Sequence, residues 1–166
     1  MVVNMTETKP TVIDRQTVLE HLLRFAGVEQ HVGLIKLVDV TDAELFQFKS
    51  QIITRVQIGD IFLSMLINAC LAHDERKPRK RKRASNYDKS QIYSPREIVE
   101  FMVEITGSRS LNQMGGSMGI SRQSLNGFAS RKGSNTMTKM LSFMIEETKA
   151  RSLTHINCQL NTHPPH

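Results

Sequence analysis

The stretch LNQMGGSMGISRQSLNGFA, positions 111–129, decides the fold of this chain. Leu111, Met114 and Met118 recur at helical spacing and give a short first helix one apolar face. Gly115 and Gly116 set the smallest side chains where a second helix would cross closely. Gly119 offers the left-handed turn that glycine adopts cheaply. Ile120 buries itself at that turn, Ser121 caps the next helix, and Leu125 and Phe128 anchor it to a core. The expectation is two helices meeting at Gly119.

That arrangement leaves Ser121, Arg122, Gln123, Ser124, Asn126 and Gly127 facing outward. The exposed set is polar and cationic, with no carboxylate. Such a face can enter the major groove, where Arg reads guanine and Gln or Asn reads adenine. Arg122, Gln123 and Asn126 are the expected base contacts. Ser121, Ser124, Arg131, Lys132 and Ser134 are the expected phosphate contacts. The segment resembles the helix-turn-helix of lambda-repressor-like proteins, particularly the phage CI-type repressors, over about residues 95–147. The resemblance implies an all-α fold whose second motif helix, 121–129, reads double-stranded DNA. It thereby implies a transcriptional regulator of phage or prokaryotic type. Gly116 departs from the pattern, because consecutive glycines cost about 1 kcal/mol each relative to Ala and loosen the first motif helix.

The chain also repeats itself at a spacing of 80 residues. Residues 17–48 lie over residues 97–128 without a gap, with identities at Glu20/Glu100, Gly27/Gly107, Leu45/Leu125 and Phe48/Phe128. Each copy reads as a small helical bundle. Ser94 and Pro95 form a cap followed by a first-turn proline, and Asp14 or Thr11 does the capping in the first copy. Gly27 and Gly107 stand where a helix should stop. A later amphipathic helix is expected at 57–70 and again at 137–150. The first copy's counterpart motif, HVGLIKLVDVTDAELFQF at 31–48, departs further. Ile35 is bulky at the crossing, Asp39 replaces the turn glycine, and the outward positions are Asp42, Ala43, Glu44, Phe46 and Gln47. Residues 12–70 carry five basic and seven acidic side chains, whereas residues 95–150 carry seven and five. Carboxylates facing phosphates are repelled, so the first copy is expected to serve dimerisation or partner docking through Phe46, Phe48, Ile52 and Ile53. Its alternatives are a core role for these residues, or a tandem reader in which both copies bind DNA.

The expected layout is two helical domains, 11–73 and 94–152, joined by a basic linker at 74–93. The ends, 1–10 and 153–166, are expected to be disordered. Seven of the eight residues 76–83 are cationic: Arg76, Lys77, Arg79, Lys80, Arg81, Lys82 and Arg83. So dense a run repels itself and stays solvated, and it can also lie along phosphates as a salt-sensitive arm. The whole chain has 22 Lys and Arg against 16 Asp and Glu in 166 residues, a balance that favours polyanionic partners.

With 39% hydrophobic residues and no Trp, a soluble core of aliphatic side chains and Met is expected. Cys70 and Cys158 share no metal-ligand spacing, which predicts a reducing compartment without a disulfide framework or zinc. The opening residues lack a leader pattern and no segment reads as a membrane span. The expected location is therefore cytoplasmic and nucleoid-associated. No phosphate-binding loop or nucleophile motif is present in the sequence, and no cofactor, metal or enzymatic role is expected. A homodimer is expected because one short helix reads few base pairs. The competing classes are an adaptor for a partner regulator or RNA polymerase, and a non-specific nucleic-acid binder acting through the basic linker.

Overall fold

A computed structural model describes residues 12–50, 57–76, 92–133 and 135–156. Eight helices make up 73% of the described residues, with no strand among them. The first copy comprises α1 (Arg15–Ala26), α2 (His31–Val38), α3 (Asp42–Ser50) and α4 (Ile58–Arg76). The second comprises α5 (Pro95–Ile105), α6 (Leu111–Met118), α7 (Arg122–Ala129) and α8 (Thr136–Ala150). Helix starts at 15, 31 and 42 return at 95, 111 and 122, a constant offset of 80.

The caps of the first helix of each copy repeat, although Ser110 caps α6 and its counterpart α2 has no side-chain cap. Asp14 accepts a hydrogen bond from the Thr17 backbone N–H at 3.0 Å, so Asp14 does the capping in the first copy. Ser94 forms a full capping box with Glu97, with Pro95 inside the first turn. Gly27 and Gly107 both sit in the left-handed region, at φ 72° and 70°. Further on, the Ile13 N–H donates to Ser64 Oγ at 2.8 Å and the Tyr93 N–H donates to Ser142 Oγ at 2.9 Å. Both serines donate onward to a carbonyl four residues back, Asp60 and Thr138. The fourth helices therefore correspond at an offset of 78, from 60 to 138 and from 64 to 142.

α4 and α8 form the most extensive helix pairing of the fold. Phe62, Leu63, Met65, Leu66 and Ile67 on α4 are buried together with Met140, Leu141, Phe143, Met144 and Ile145 on α8. Burying one such side chain is worth about 1.5–3 kcal/mol. The Phe62 and Phe128 rings meet edge to face at 5.7 Å, so the pairing also supports the helix that follows the Gly119 turn. The buried residues of both copies belong to one cluster, in which the copies share a core instead of standing as two separate domains. Each copy is too small to cover its fourth helix, and mutual burial of α4 and α8 is the outcome.

Two ionic contacts absent from the sequence reading hold this arrangement. Arg15, nearly fully buried, pairs with Asp60 at 2.9 Å and lies 4.5 Å above the Phe48 ring. Arg151 donates to both carboxylate oxygens of Asp74 at 2.7 Å each and to Glu147 Oε1 at 3.0 Å, while its guanidinium covers Phe25 at 5.1 Å.

Three boundaries shift from expectation. α4 continues through Arg76, well beyond residue 70, because Asp74 is tied to Arg151; the expected linker therefore begins inside a helix. α8 begins at Thr136, capped by Asn135 in a box with Thr138. Ordered structure also passes residue 153: Ile156 is buried and its N–H donates to the Ile105 carbonyl at 2.9 Å. No helix among the described residues is long and apolar enough to cross a membrane.

Candidate nucleic-acid interface

α6 and α7 meet at Gly119, which has φ 73°. The turn is closed by the Ile120 N–H, which donates to the Gly115 carbonyl at 2.8 Å. Gly115 is needed for this geometry. A Cβ there would lie 2.6 Å from the Ile120 carbonyl oxygen and 3.0 Å from Leu125 Cδ1. Gly116 is not needed in the same way, since its Cβ would meet nothing within 4 Å. Ile120 is half-buried, shallower than expected, because the tight turn holds it at the edge of the cluster.

Ser121 caps α7. Its Oγ accepts from the Ser124 N–H at 3.1 Å and donates to Ser124 Oγ at 2.9 Å, so the two hydroxyls preorganise the helix start. Leu125 and Phe128 turn inward and are buried. Ser121, Arg122, Gln123, Ser124, Asn126 and Gly127 are all exposed. The alternation follows from the helical period: 125 and 128 are three apart on one face, and 122, 123 and 126 share the other. Arg131 and Lys132 are exposed just beyond the helix. Ser134 lies outside the described residues. From Gly119 to Gly133 the sequence holds no carboxylate, so this ridge carries only neutral and positive groups.

A cleft of about 470 Å³ opens beside the ridge between α5, α6 and α7. Val99, Val103, Leu111 and Ala129 line it, with Arg96, Glu100, Asn126 and Ser130 as its polar groups. Asn126 therefore borders both the outward ridge and the cleft.

The first copy keeps the same frame. Asp39 takes the left-handed turn position at φ 63°, a conformation that Asp tolerates better than most side chains. Thr41 and Glu44 cap α3 reciprocally: the Thr41 N–H donates to Glu44 Oε1 at 2.8 Å, and the Glu44 N–H donates to Thr41 Oγ1 at 3.1 Å. This backbone hydrogen bond from Thr41 holds the Glu44 carboxyl below the usual carboxylate range, and the nearby Lys139 adds to the effect. Asp42, Ala43, Phe46 and Gln47 are exposed where the second copy has Arg122, Gln123, Asn126 and Gly127.

The expected contact patch of the first copy is corrected in one member. Phe48 is only 5% exposed and lies beneath the Arg15 guanidinium, so it is core. Its identity with buried Phe128 in the repeat carried that signal. Phe46 is 65% exposed, and Val32, on α2 of the same motif, is 54% exposed. Val32 was not anticipated, because α2 itself, with 8 residues, is too short for periodicity to sort its faces. Ile52 and Ile53 lie outside the described residues, as do Lys77, Arg79, Lys80, Arg81, Lys82 and Arg83 of the basic run. Arg76 is described and closes the last turn of α4.

No protein family, curated protein or solved structure compared with the chain matches it.

Proposed function

We propose that the chain is a sequence-specific DNA-binding regulator that lays α7 in the major groove. One observation carries the reading: a capped helix, set by a glycine turn, presents Arg122, Gln123 and Asn126 outward on a ridge without carboxylates. Arg pairs bidentately with guanine, and Gln or Asn pairs with adenine, each good pair being worth about 1–3 kcal/mol of discrimination. Ser121, Ser124, Arg131 and Lys132 stand at the helix start and just past its end, where phosphates flank a groove-bound helix. The resemblance to lambda-repressor-like proteins supports a phage or prokaryotic setting. The basic run adds phosphate attraction and makes binding strongly salt-dependent.

The test is selection of bound sequences from random duplex DNA, repeated with Gln123→Ala. A motif enriched by the parent chain, and relaxed at one position in the variant, supports the reading. No enrichment at any salt concentration ends it. A second reading, a protein adaptor, draws on the exposure of Phe46 and Val32, since large apolar groups at a motif surface mark contact sites. Co-purification of a partner lost on Phe46→Ser, with no DNA shift, selects the adaptor instead.

A further inference from the structure

We propose that the chain engages DNA as a single copy and reads one asymmetric site through α7, because the dyad that a homodimer would create is already built inside the chain. The proposal rests on the DNA reading above and replaces the homodimer expected from the sequence.

The internal dyad is visible at α4 and α8. Position 70 corresponds to position 148 at the 78-residue offset of the fourth helices. Cys70 Sγ and Thr148 Oγ1 lie 3.6 Å apart, both buried. In a two-fold arrangement a residue meets its own counterpart only at the axis. This pair therefore places a local two-fold axis between the paired helices. Around it the apolar faces of both helices are already covered, each by the other. The surface that an isolated half would use to dimerise is consumed.

The heads on either side of this axis are unlike. Position for position, Asp42 faces outward in place of Arg122, Ala43 in place of Gln123, and Phe46 in place of Asn126. A two-fold pair with identical heads reads a palindrome. A pair with one cationic and one acidic head has no means of reading the same half-site twice. The bound site is thus one half-site set by α7, with no inverted copy.

Sedimentation velocity and the duplex selection test this together on the full chain. The expected free species is a monomer of 18.9 kDa over a wide concentration range. One chain binds each selected duplex, and the enriched motif lacks an inverted repeat. When the motif is duplicated in inverted orientation about 10 base pairs away, two chains bind independently with unchanged affinity. A stable dimer of the free chain, or a palindromic motif filled cooperatively by two chains, overturns the proposal while leaving the DNA reading intact. Absence of any enriched motif removes both. A Thr148→Cys, Cys158→Ser double variant checks the axis without DNA. Refolded from the reduced state under air as the oxidant, this variant should give an intrachain disulfide between positions 70 and 148 on a monomeric chain, and an interchain product overturns the internal dyad.

Discussion

Gly115 and Gly116 are neighbours on one helix, yet a single added methyl group should act on them with opposite sign. Gly116 is exposed, and a Cβ there meets nothing within 4 Å. Gly116→Ala removes backbone freedom from the unfolded chain and should stabilise by about 0.5–1 kcal/mol. In a chain of this size that raises Tm by about 1–4 °C. Gly115→Ala gains the same propensity but drives its methyl to 2.6 Å from the Ile120 carbonyl oxygen. Overpacking of this kind costs about 1–3 kcal/mol, which leaves a net loss of about 0.5–2 kcal/mol. The first copy shows how the strain is relieved. Ile35 occupies the position of Gly115, and there the Val40 N–H to Ile35 carbonyl bond is 3.3 Å, against 2.8 Å for Ile120 to Gly115. The turn opens, so in Gly115→Ala the reading helix should shift outward and lose affinity for its selected site. Urea and thermal unfolding followed by far-UV circular dichroism measure the stability difference; the chain has no Trp to report by fluorescence. If Gly115→Ala proves as stable as Gly116→Ala, the close approach of α6 to the turn is not the constraint described here.

Three further outcomes follow from the same geometry. Arg151→Met should cost about 3–5 kcal/mol in urea unfolding, because it strips the cation from Glu147 and Asp74 in a buried setting; a loss under about 1 kcal/mol would contradict the clamp between the copies. Asp14→Ala should cost about 1 kcal/mol near neutral pH, since the Asp14 side chain caps α1. The Thr17 backbone N–H holds the Asp14 carboxyl below its ordinary value, so its contribution is present above the unfolded pKa and disappears as pH falls through the lower folded one. Parent and variant should therefore converge in stability as pH falls below the ordinary aspartate range, and a gap that persists in strong acid would show that the cap is not ionic. The Cys70 thiol is pushed up to about 11, chiefly by burial, so in a Cys158→Ser chain at pH 8 it should react with maleimide only at the rate of unfolding; rapid labelling of the native chain would show that α4 and α8 part readily.

Much of the candidate site was legible because local rules point the same way at 111–129. The period-3.6 pattern, the αL glycine and the capping serine each demand the same two helices, and all are local in sequence. The repeat was legible for a related reason: caps and turn positions recur at fixed intervals, so matches at Gly27/Gly107 and Leu45/Leu125 carry geometry as well as composition. What escaped is contact between distant positions. Nothing near Arg151 reveals that it reaches Asp74 across 77 residues and turns the end of α4 into ordered helix. Phe48 was grouped with Phe46 by nearness in sequence, but two steps along a helix turn a side chain by about 200°, and the stacked Arg15 comes from α1. Mutual burial of α4 and α8 was hidden because two apolar helices look alike whether each faces its own bundle or the other.

The two turns differ in a way that bears on what each head can do. At the first, Lys139 of α8 donates to the Asp39 carbonyl at 2.8 Å and also faces Glu44. The left-handed residue of α2 is thereby pinned by the opposite copy, and a cation already answers the acidic start of α3. At the second, a Cβ on Gly119 would meet nothing within 4 Å, and the turn is closed by the Ile120 N–H bond to the Gly115 carbonyl. The Lys139 hydrogen bond fixes the first turn against α8 of the other copy. Burial of α4 against α8 holds both heads in place whichever surface each presents.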